Sequence, residues 1–312
     1  MEYSYINSDL QIEELLSKWR KTDIVQVAMD FECESNLHCY GEHLCLIQVF
    51  DGYNYYLIDP LPQAGTVSNA GLKALLESKD IQKLWFDCSS DGSLVWKKHG
   101  IKIAALYDLF LEAKILGIQE NLSAMVQRFV TNTMESDNIT PEEVIKAKNS
   151  KKKFQQANWM LRPISAGQLE YALSDVAHLF PLRLALDNLA KEKNKLKAVQ
   201  ESMKHLPHLK TKQPAGYTKL PGYKHMNHRQ KIYAKHFFHA WDSVAQEFNW
   251  PPYKVLNKHT VARLAQKVPI NEVAFKAEAQ IPNKAVEAKL LPLLLEAKGK
   301  AEKEIASENS KP

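Results

Sequence analysis

The chain has 312 residues, of which 45% are hydrophobic and 25% are charged, a composition typical of a globular protein and not of a disordered one. No apolar run reaches the roughly 18 residues that a membrane-spanning helix requires. The polar start MEYSYINSDL does not fit a secretory signal. These features exclude membrane and secreted classes, so we expect a cytoplasmic protein.

Helical spacing and alternation predict the elements of the first two thirds in chain order. A helix is predicted over residues 9–20, followed by strands over 23–32, 44–51, 53–60 and 81–86. Further helices are predicted over 71–79, 92–100, about 107–130 and 162–192, the last with a Ser165–Gln168 capping box. Strands come early and helices late, which predicts one mixed α/β domain.

The last third of the chain has a different pattern. Residues 205–225 are rich in Pro, Gly and Lys and have little periodicity, which predicts a linker. Helical spacing returns over 237–252, 259–269 and 285–300, which predicts a small all-helical domain. We therefore divide the chain into a domain over 1–203, a basic linker over 204–226, a helical domain over 227–297 and a charged, frayed tail over 298–312.

The net charge of +5 is concentrated in one segment. Between Ser202 and Trp241 there is no acidic residue, and the Lys and Arg residues there are Lys204, Lys210, Lys212, Lys219, Lys224, Arg229, Lys231 and Lys235. A basic block interleaved with Tyr217 and Tyr223 offers phosphate contacts and stacking faces, which favours a nucleic acid partner. A linker whose charge only keeps the protein soluble is the alternative.

The four cysteines are too few for a disulfide framework in a chain of this length. Cys33, Cys39 and Cys45 recur every six residues with His38 and His43 between them, which allows a soft-metal site. Zinc sites usually contain closely spaced cysteine pairs, which this segment lacks. Reduced thiols around a strand are therefore the favoured interpretation.

Acidic residues follow the first predicted strand in the stretch VAMDFECES. Alternation places Asp30 and Glu32 on one face of the strand, side by side. Their mutual repulsion raises a pKa unless a cation lies between them, and hard divalent ions prefer such oxygen ligands. Two solvated carboxylates at a strand edge are the alternative. Glu34 continues the same face and is interpreted as a surface residue, with a supporting role behind Asp30 and Glu32 as the alternative.

A tyrosine and an aspartate share one face of the strong helix predicted near residue 170. Tyr171 and Asp175 are four residues apart, hence one turn apart. A phenol beside a carboxylate suits the orientation or deprotonation of a water molecule. The alternative is a core tyrosine with a surface aspartate.

The order Asp30-x-Glu32, a middle aspartate and Tyr171-xxx-Asp175 resembles the tyrosine-bearing subgroup of the DEDD 3′–5′ exonuclease superfamily, and the ribonuclease D family in particular. AMDFE with CLIQVFDGYNYYLIDPL is similar to the first motif and its flanks, and ANWMLRPISAGQLEYALSDVAHLFPL is similar to the third. The resemblance covers roughly residues 5–200. It implies a ribonuclease H-like mixed-sheet exonuclease domain.

The middle motif departs from the family pattern, which has a lysine, a histidine three residues later and an aspartate five residues after that. In KLWFDCSSDG, Lys83 and Asp91 fit and Phe86 replaces the histidine. Asp87 is an alternative acid. Asp91 is preferred because it opens a helix, where the dipole favours an acid.

The resemblance implies a catalytic set of Asp30, Glu32, Asp91, Tyr171 and Asp175, in which the four acids hold two Mg²⁺ or Mn²⁺ ions about 4 Å apart. Tyr171 would position or deprotonate the attacking water. The implied reaction releases nucleoside 5′-monophosphates from RNA 3′ ends, tRNA precursors among them, without an obligate protein partner. By the resemblance, Lys151, Lys152 and Lys153 would lie near the site and touch the RNA 3′ end, with a solvated loop as the alternative. The complete set of predicted nucleic acid contacts, including those of the basic linker, is Lys151, Lys152, Lys153, Arg162, Lys210, Lys212, Tyr217, Lys219, Tyr223 and Lys224.

The helical region over about 227–297 resembles an HRDC domain, a helical module shared by ribonuclease D and certain helicases. The segment FFHAWDSVAQEFNWPPYKVLNKHTVARLAQKVP carries this likeness, which implies nucleic acid binding or substrate positioning. Two alternatives to the exoribonuclease stay open. One is a DNA exonuclease of the same superfamily, and the other is an RNA-binding protein that has kept the fold but not the activity.

Overall fold

The structure, a computed structural model, describes residues 1–131, 152–204, 206 and 215–309. The chain divides into two compact units, Met1–Glu34 with His43–Thr211, and Ser35–Glu42 with Lys212–Pro312. Within the described ranges, no helix is long and apolar enough to cross a bilayer. The expected cytoplasmic location stays a prediction.

A six-stranded mixed sheet forms the centre of the first unit. Its strands are β1 (Tyr3–Ile6), β2 (Gln26–Ser35), β3 (Glu42–Phe50), β4 (Tyr55–Ile58), β5 (Gln82–Trp85) and β6 (Leu106–Asp108). They lie in the order β1-β4-β3-β2-β5-β6. β1 pairs with β4, β2 with β5 and β5 with β6 in parallel, whereas β3 and β4 are antiparallel. The predicted mixed α/β class is confirmed.

Helices cover both faces of this sheet. They are α1 (Asp9–Lys21), α2 (Asn69–Leu76), α3 (Ser89–His99), α4 (Leu109–Ile115), α5 (Leu122–Val126), α6 (152–155), α7 (Ala166–Ala177), α8 (Leu179–Glu192) and α9 (Leu196–Lys204). The core with α1, α2 and α3 contains Val27, Met29 and Phe31. The core with α4, α8 and α9 contains Ala28 and Leu84. The sheet therefore separates two cores, and β2 contributes to both.

Two strands and the breaks in two predicted helices differ from the sequence predictions. The helix predicted over about 107–130 is interrupted, because α4 ends at Ile115 and α5 begins only at Leu122. β1 and β6 were not predicted, because β1 has exposed aromatics in a polar segment and β6 has only three residues. The predicted helix over 162–192 is two helices, α7 and α8, with the break at His178. The predicted capping box is confirmed: the Ser165 side chain accepts from the backbone N–H of Gln168, and the Gln168 side chain accepts from that of Ser165.

The second unit is helical, as predicted. It contains 3₁₀ turns at Gly216–Lys219 and Tyr223–His225, then α10 (His228–Glu247), α11 (Pro252–Val255), α12 (Lys258–Lys267), α13 (Glu272–Ala279) and α14 (Lys284–Asn309). Leu220 and Met226 are buried in its core. The last part of the predicted linker, from Gly216 onwards, therefore packs with the helices.

The frayed tail expected after residue 297 is helical in the described part of the chain. α14 continues to Asn309, and Ala301 is fully buried. The Lys235 ammonium donates to Glu304 at 2.6 Å, and His236 Nε2 lies 2.7 Å from the same carboxylate. These contacts hold the helix end against α10, so the charged composition reflects one solvated helix face and not fraying.

Candidate active site

Strand β2 places two acids on the face of the sheet opposite to Phe31. Val27, Met29 and Phe31 belong to one core and Ala28 to the other, which confirms the predicted alternation. Asp30 is half-buried, and Glu32 is buried, with 8% of its surface exposed to solvent. Gln48 on β3 donates to Glu32 Oε1 at 3.2 Å.

Helix α7 brings a third carboxylate to this face. Its residues Ala172, Leu173 and Val176 are buried, which fixes the helix against the rest of the unit. One carboxylate oxygen each from Asp30, Glu32 and Asp175 lie within 4.8 Å of one another. We call this group the carboxylate site. Asp175 is more than 140 positions from Asp30 and Glu32 in sequence, so only the tertiary fold brings it to them.

The carboxylate site is electrostatically unfavourable when it contains acids alone. Burial raises the pKa of Glu32 well above its usual range, and the charges of Asp30, Asp175 and Asp91 raise it further. The hydrogen bond from Gln48 lowers that pKa but does not offset the other effects. A divalent cation with oxygen ligands is the partner that such a group fits.

Asp91 lies in the first turn of α3, close to the carboxylate site but outside the group of three. Its Oδ2 accepts from the Trp85 indole Nε1 at 3.2 Å. Burial raises the pKa of Asp91 to about 7, and the charges of Asp87 and Asp108 add to this. Its negative charge also contributes to the raised pKa of Glu32.

The alternative acid of the middle motif has a different environment. Asp87 is exposed, has a left-handed backbone with φ of 59° and accepts from the Ser89 hydroxyl at 2.8 Å. Its backbone N–H donates to Asp108 at 2.9 Å. Asp87 therefore shapes the turn that precedes α3, and Asp91 is the better candidate for the site.

Tyr171 lies one turn before Asp175, as the sequence spacing predicts, and its hydroxyl donates to the Asp175 carboxylate. Burial raises the pKa of Tyr171 far above its usual value, and the charges of Asp175 and Glu32 contribute. The phenol is thus protonated at neutral pH. Its ring packs against Trp159, with centroids 6.2 Å apart, and against Phe154, with centroids 5.8 Å apart.

A cavity of about 180 Å³ opens beside these groups. Asp30, Tyr171 and Asp175 line one side, and the remaining lining residues are Met29, Phe86, Leu122, Gln155 and Leu179. Phe86, the residue that replaces the family's histidine, packs against Phe110 with centroids 5.3 Å apart. Sequence reasoning did not identify Leu122, Gln155 or Leu179, because no motif marks them and only the fold brings them to the cavity.

Glu34, near the end of β2, is buried, with only 2% of its surface exposed. The expectation that it is a surface residue is therefore wrong, because this part of β2 is covered by other parts of the fold. In the described part of the chain, the acids of the carboxylate site form the sole cluster of three potential metal ligands. The soft-metal alternative involving Cys33, Cys39 and Cys45 is therefore not supported.

The predicted nucleic acid contacts are distributed over both units. Lys151, Lys210 and Lys212 lie outside the described residues. Lys152, Lys153, Lys219 and Lys224 are exposed. Tyr217 and Tyr223 are half-buried, with centroids 5.8 Å apart, and Tyr217 also packs against Phe238 and His239. Their faces are therefore partly used inside the helical unit.

Arg162 is oriented into the protein. Its guanidinium donates to the Asp59 carboxylate and to the backbone carbonyls of Trp159, Leu161 and Cys45. Its side chain retains 13% of its exposed surface. This geometry does not favour the RNA contact implied for Arg162 by the resemblance.

The mixed sheet, with the carboxylate site beside a cavity that Asp30, Asp175 and Tyr171 line, defines an α/β protein of the nuclease type. Residues 3–191 match the 3′–5′ exonuclease family, and the chain belongs to that family. Among curated relatives, ribonuclease D of Xanthomonas oryzae is 31% identical over 169 residues, which cover 54% of this chain and 41% of the relative. Ribonuclease D of Escherichia coli is 27% identical over 188 residues, covering 60% and 44%.

The chain spans less than half the length of these curated relatives. Among solved structures, ribonuclease D of Escherichia coli, described as an exoribonuclease involved in structured RNA processing, matches with a TM-score of 0.70 and 22% identity. The match covers 96% of this chain and 76% of the Escherichia coli chain. The catalytic core of RRP6 from Trypanosoma brucei matches with a TM-score of 0.69 and 21% identity, covering 96% and 80%. These likenesses show a shared fold.

Proposed function

We propose that the protein is a metal-dependent 3′–5′ exoribonuclease that releases nucleoside 5′-monophosphates. The observation that carries the proposal is the convergence of Asp30, Glu32 and Asp175 within 4.8 Å, with Tyr171 bonded to Asp175. Membership of the 3′–5′ exonuclease family and the ribonuclease D relatives support the reaction and the RNA substrate.

The carboxylate site suits Mg²⁺ or Mn²⁺, since both prefer several oxygen ligands. We propose that Asp30, Glu32 and Asp175, with Asp91, hold two such ions. Bound there, the ions would supply Lewis-acid activation and neutralise charge that develops at the phosphodiester. The raised pKa of Glu32 supports this proposal, because a nearby cation would relieve the repulsion that raises it.

The side chains around the site have roles that follow from their chemistry. The Tyr171 hydroxyl donates to Asp175 at the edge of the cavity, so its oxygen is free of that hydrogen and can accept from the attacking water and orient it. The water attacks phosphorus, the 3′ oxygen of the penultimate nucleotide leaves, and the terminal nucleotide departs with the 5′-phosphate. Phe86, Leu122 and Leu179 form an apolar wall that packs against the terminal nucleoside and limits access of bulk water.

RNA contacts near the cavity are proposed for Lys152 and Lys153. Both are exposed on α6, whose Phe154 packs against Tyr171 and whose Gln155 lines the cavity. In the helical unit, exposed Lys219 and Lys224 are proposed contacts, as in the HRDC-like interpretation. Structured RNA, such as tRNA precursors, is the proposed substrate.

A direct assay tests the reaction. Purified protein is incubated with RNA and DNA of matched sequence, labelled at the 3′ end, in the presence of Mg²⁺, Mn²⁺ or EDTA. We expect labelled mononucleotide from RNA with either metal and none with EDTA. Preferential release from DNA would favour the DNA exonuclease. If RNA binds but no mononucleotide appears with any metal, the protein is an RNA-binding protein on this fold.

A further inference from the structure

The guanidinium of Arg162 makes four hydrogen bonds within the first unit. Nη1 donates to the carbonyls of Trp159 at 2.7 Å and Leu161 at 2.8 Å, and Nη2 donates to the carbonyl of Cys45 at 2.7 Å. Nε donates to the carboxylate of Asp59. These bonds use four of the five N–H groups of a guanidinium. Little donor capacity is left for a phosphate.

Asp59 is the buried counter-charge of this group. It follows β4 and is fully buried. Its Oδ2 accepts from Arg162 and from the Tyr5 hydroxyl, and its Oδ1 accepts from the Leu61 backbone N–H at 3.1 Å. Burial alone would lower the pKa of Arg162, but the hydrogen bond and charge of Asp59 raise it. Most of the polar atoms of the pair are hydrogen-bonded, the condition in which a buried ion pair is tolerated.

The groups around Arg162 connect four parts of the first unit. Tyr5 belongs to β1, Asp59 follows β4, Cys45 belongs to β3, and the two remaining carbonyls belong to the turn that leads into α7. In that turn Trp159 is buried, its indole donates to the Phe154 carbonyl at 3.1 Å, and its ring packs against Tyr171. Arg162 therefore ties the start of the helix that carries Tyr171 and Asp175 to the sheet that carries Asp30 and Glu32.

We propose that Arg162, held by Asp59 and Tyr5, is a positioning residue that sets the register of α7 against β2 and thereby forms the carboxylate site. Arg162 acts through Trp159 and the turn before α7 and does not touch substrate. The kinetic test of this role rests on the proposed function, because it requires cleavage of RNA. The Mn²⁺-binding test does not require cleavage. It predicts that loss of the guanidinium fork misplaces Tyr171 and Asp175 without weakening RNA binding, because small errors in geometry reduce turnover strongly.

The first test is Arg162→Lys, which keeps the charge that Asp59 needs but cannot reproduce the fork geometry. Steady-state kinetics on labelled RNA should show kcat lowered about 10-fold or more, with KM changed less than about twofold. A Mn²⁺ titration followed by electron paramagnetic resonance should show affinity weakened about 10-fold or more, the size of effect seen when groups that orient metal ligands are removed. Arg128→Lys is the matched control, because Arg128 is exposed and pairs with Glu120 at 2.6 Å.

Tyr5→Phe is measured in parallel, because it keeps the ion pair and removes one hydrogen bond to Asp59. We expect a smaller change in kcat and Mn²⁺ affinity in the same direction. This variant decides the question if Arg162→Lys does not fold, and in that case unchanged kcat and Mn²⁺ affinity in Tyr5→Phe overturn the proposal.

The outcomes separate the positioning role from the two competing roles. A raised KM with unchanged kcat and Mn²⁺ affinity would make Arg162 an RNA contact and overturn the proposal. A lower thermal stability with unchanged kcat and Mn²⁺ affinity in the folded protein would make Arg162 a purely structural residue and also overturn it. If wild-type protein cleaves neither RNA nor DNA, the proposed function fails, whereas the Mn²⁺ titration still tests the positioning role.

Discussion

Two groups of buried acids in the first unit show how a protein can accommodate carboxylates in different ways. The first is the carboxylate site; the second, which we call the Arg183 network, comprises Tyr107, Glu112, Arg183 and Asp187. In the Arg183 network, Arg183 Nε donates to Asp187 at 2.7 Å and lies 4.0 Å from Glu112. The Tyr107 hydroxyl donates to Glu112 at 2.9 Å, and the guanidinium stacks 3.2 Å from the Tyr107 ring centroid.

The two groups differ in the source of neutralising charge. The Arg183 network contains its own cation and uses it to hold α4 and α8 together. At the carboxylate site, the largest influences on Glu32 are burial and three negative charges, and the hydrogen-bond donor Gln48 is neutral. A buried acid with an internal arginine is a structural element, whereas converging acids whose charges repel indicate a site for a cation from solution.

The largest expected effect is the loss of kcat in a variant of the carboxylate site, compared with a variant of the Arg183 network. Asp30→Asn should lower kcat on RNA by roughly 1,000-fold or more, because it removes a proposed metal ligand, and bound metal ions contribute several kcal/mol of transition-state stabilisation. Glu112→Gln should change kcat less than about twofold. Release of 3′-labelled nucleotide measures both. Equal activity of Asp30→Asn and wild type would show that the carboxylate site is not the catalytic centre.

A second contrast concerns the middle motif. Asp91→Asn should lower kcat on the order of 100-fold, less than Asp30→Asn, because Asp91 lies outside the group of three carboxylates. Asp87→Asn should have an effect below about twofold, because its carboxylate is exposed and bonded to Ser89. The same nucleotide-release assay compares the two variants. The opposite order of effects would assign the motif to Asp87.

A third prediction concerns stability with and without metal. The folded pKa of Glu32 is raised, so its contribution to stability is present at low pH and lost as pH rises through that pKa. For each bound ion, Mn²⁺ at 100 times the Kd measured at pH 8 should stabilise the protein by about 2.7 kcal/mol at that pH. The stabilisation should be smaller at pH 5, where protons compete, and absent in Asp30→Asn. Thermal melts with Mn²⁺ or EDTA measure it, and equal shifts at both pH values would contradict this linkage.

The smallest expected effect lies in the Arg183 network. Burial raises the pKa of Glu112 to about 7, so its stabilising contribution is present below pH 4.5 and lost as pH rises through about 7. Glu112→Gln removes this titration. Between pH 4.5 and pH 8, the free energy of unfolding of Glu112→Gln should therefore decrease by about 1–2 kcal/mol less than that of wild type, after allowance for solvent screening. Urea unfolding at the two pH values measures it, with exposed Glu120→Gln as the control.

The local features of the site were predictable from sequence. Alternation along β2 placed Asp30 and Glu32 on one face, and the four-residue spacing placed Tyr171 beside Asp175. Both relations depend only on backbone geometry within one element. The burial of Glu34 was not predictable, because it depends on how far β2 is covered by other parts of the fold.

The elements that sequence reasoning missed had weak local signals. β1 is short, and its tyrosines are exposed; it is a strand because its backbone pairs with β4. β6 has three residues and pairs with β5. The end of α14 has a charged composition typical of a tail, yet Ala301 and the Glu304 contacts hold it in place. In each case the pairing or packing partner lies far away in the sequence.

The sequence by itself determined the fold class, the family resemblance and the acids with a catalytic pattern, because periodicity and motif spacing are properties of local backbone geometry. Only the tertiary structure decided how the charged groups are used. It brought Asp175 to within 4.8 Å of Asp30 and Glu32, paired Arg162 with Asp59 instead of leaving it at the surface, and gave Glu112 an arginine 71 positions later in the chain. Electrostatic energies depend on distance and burial, which the order of residues along the chain does not specify.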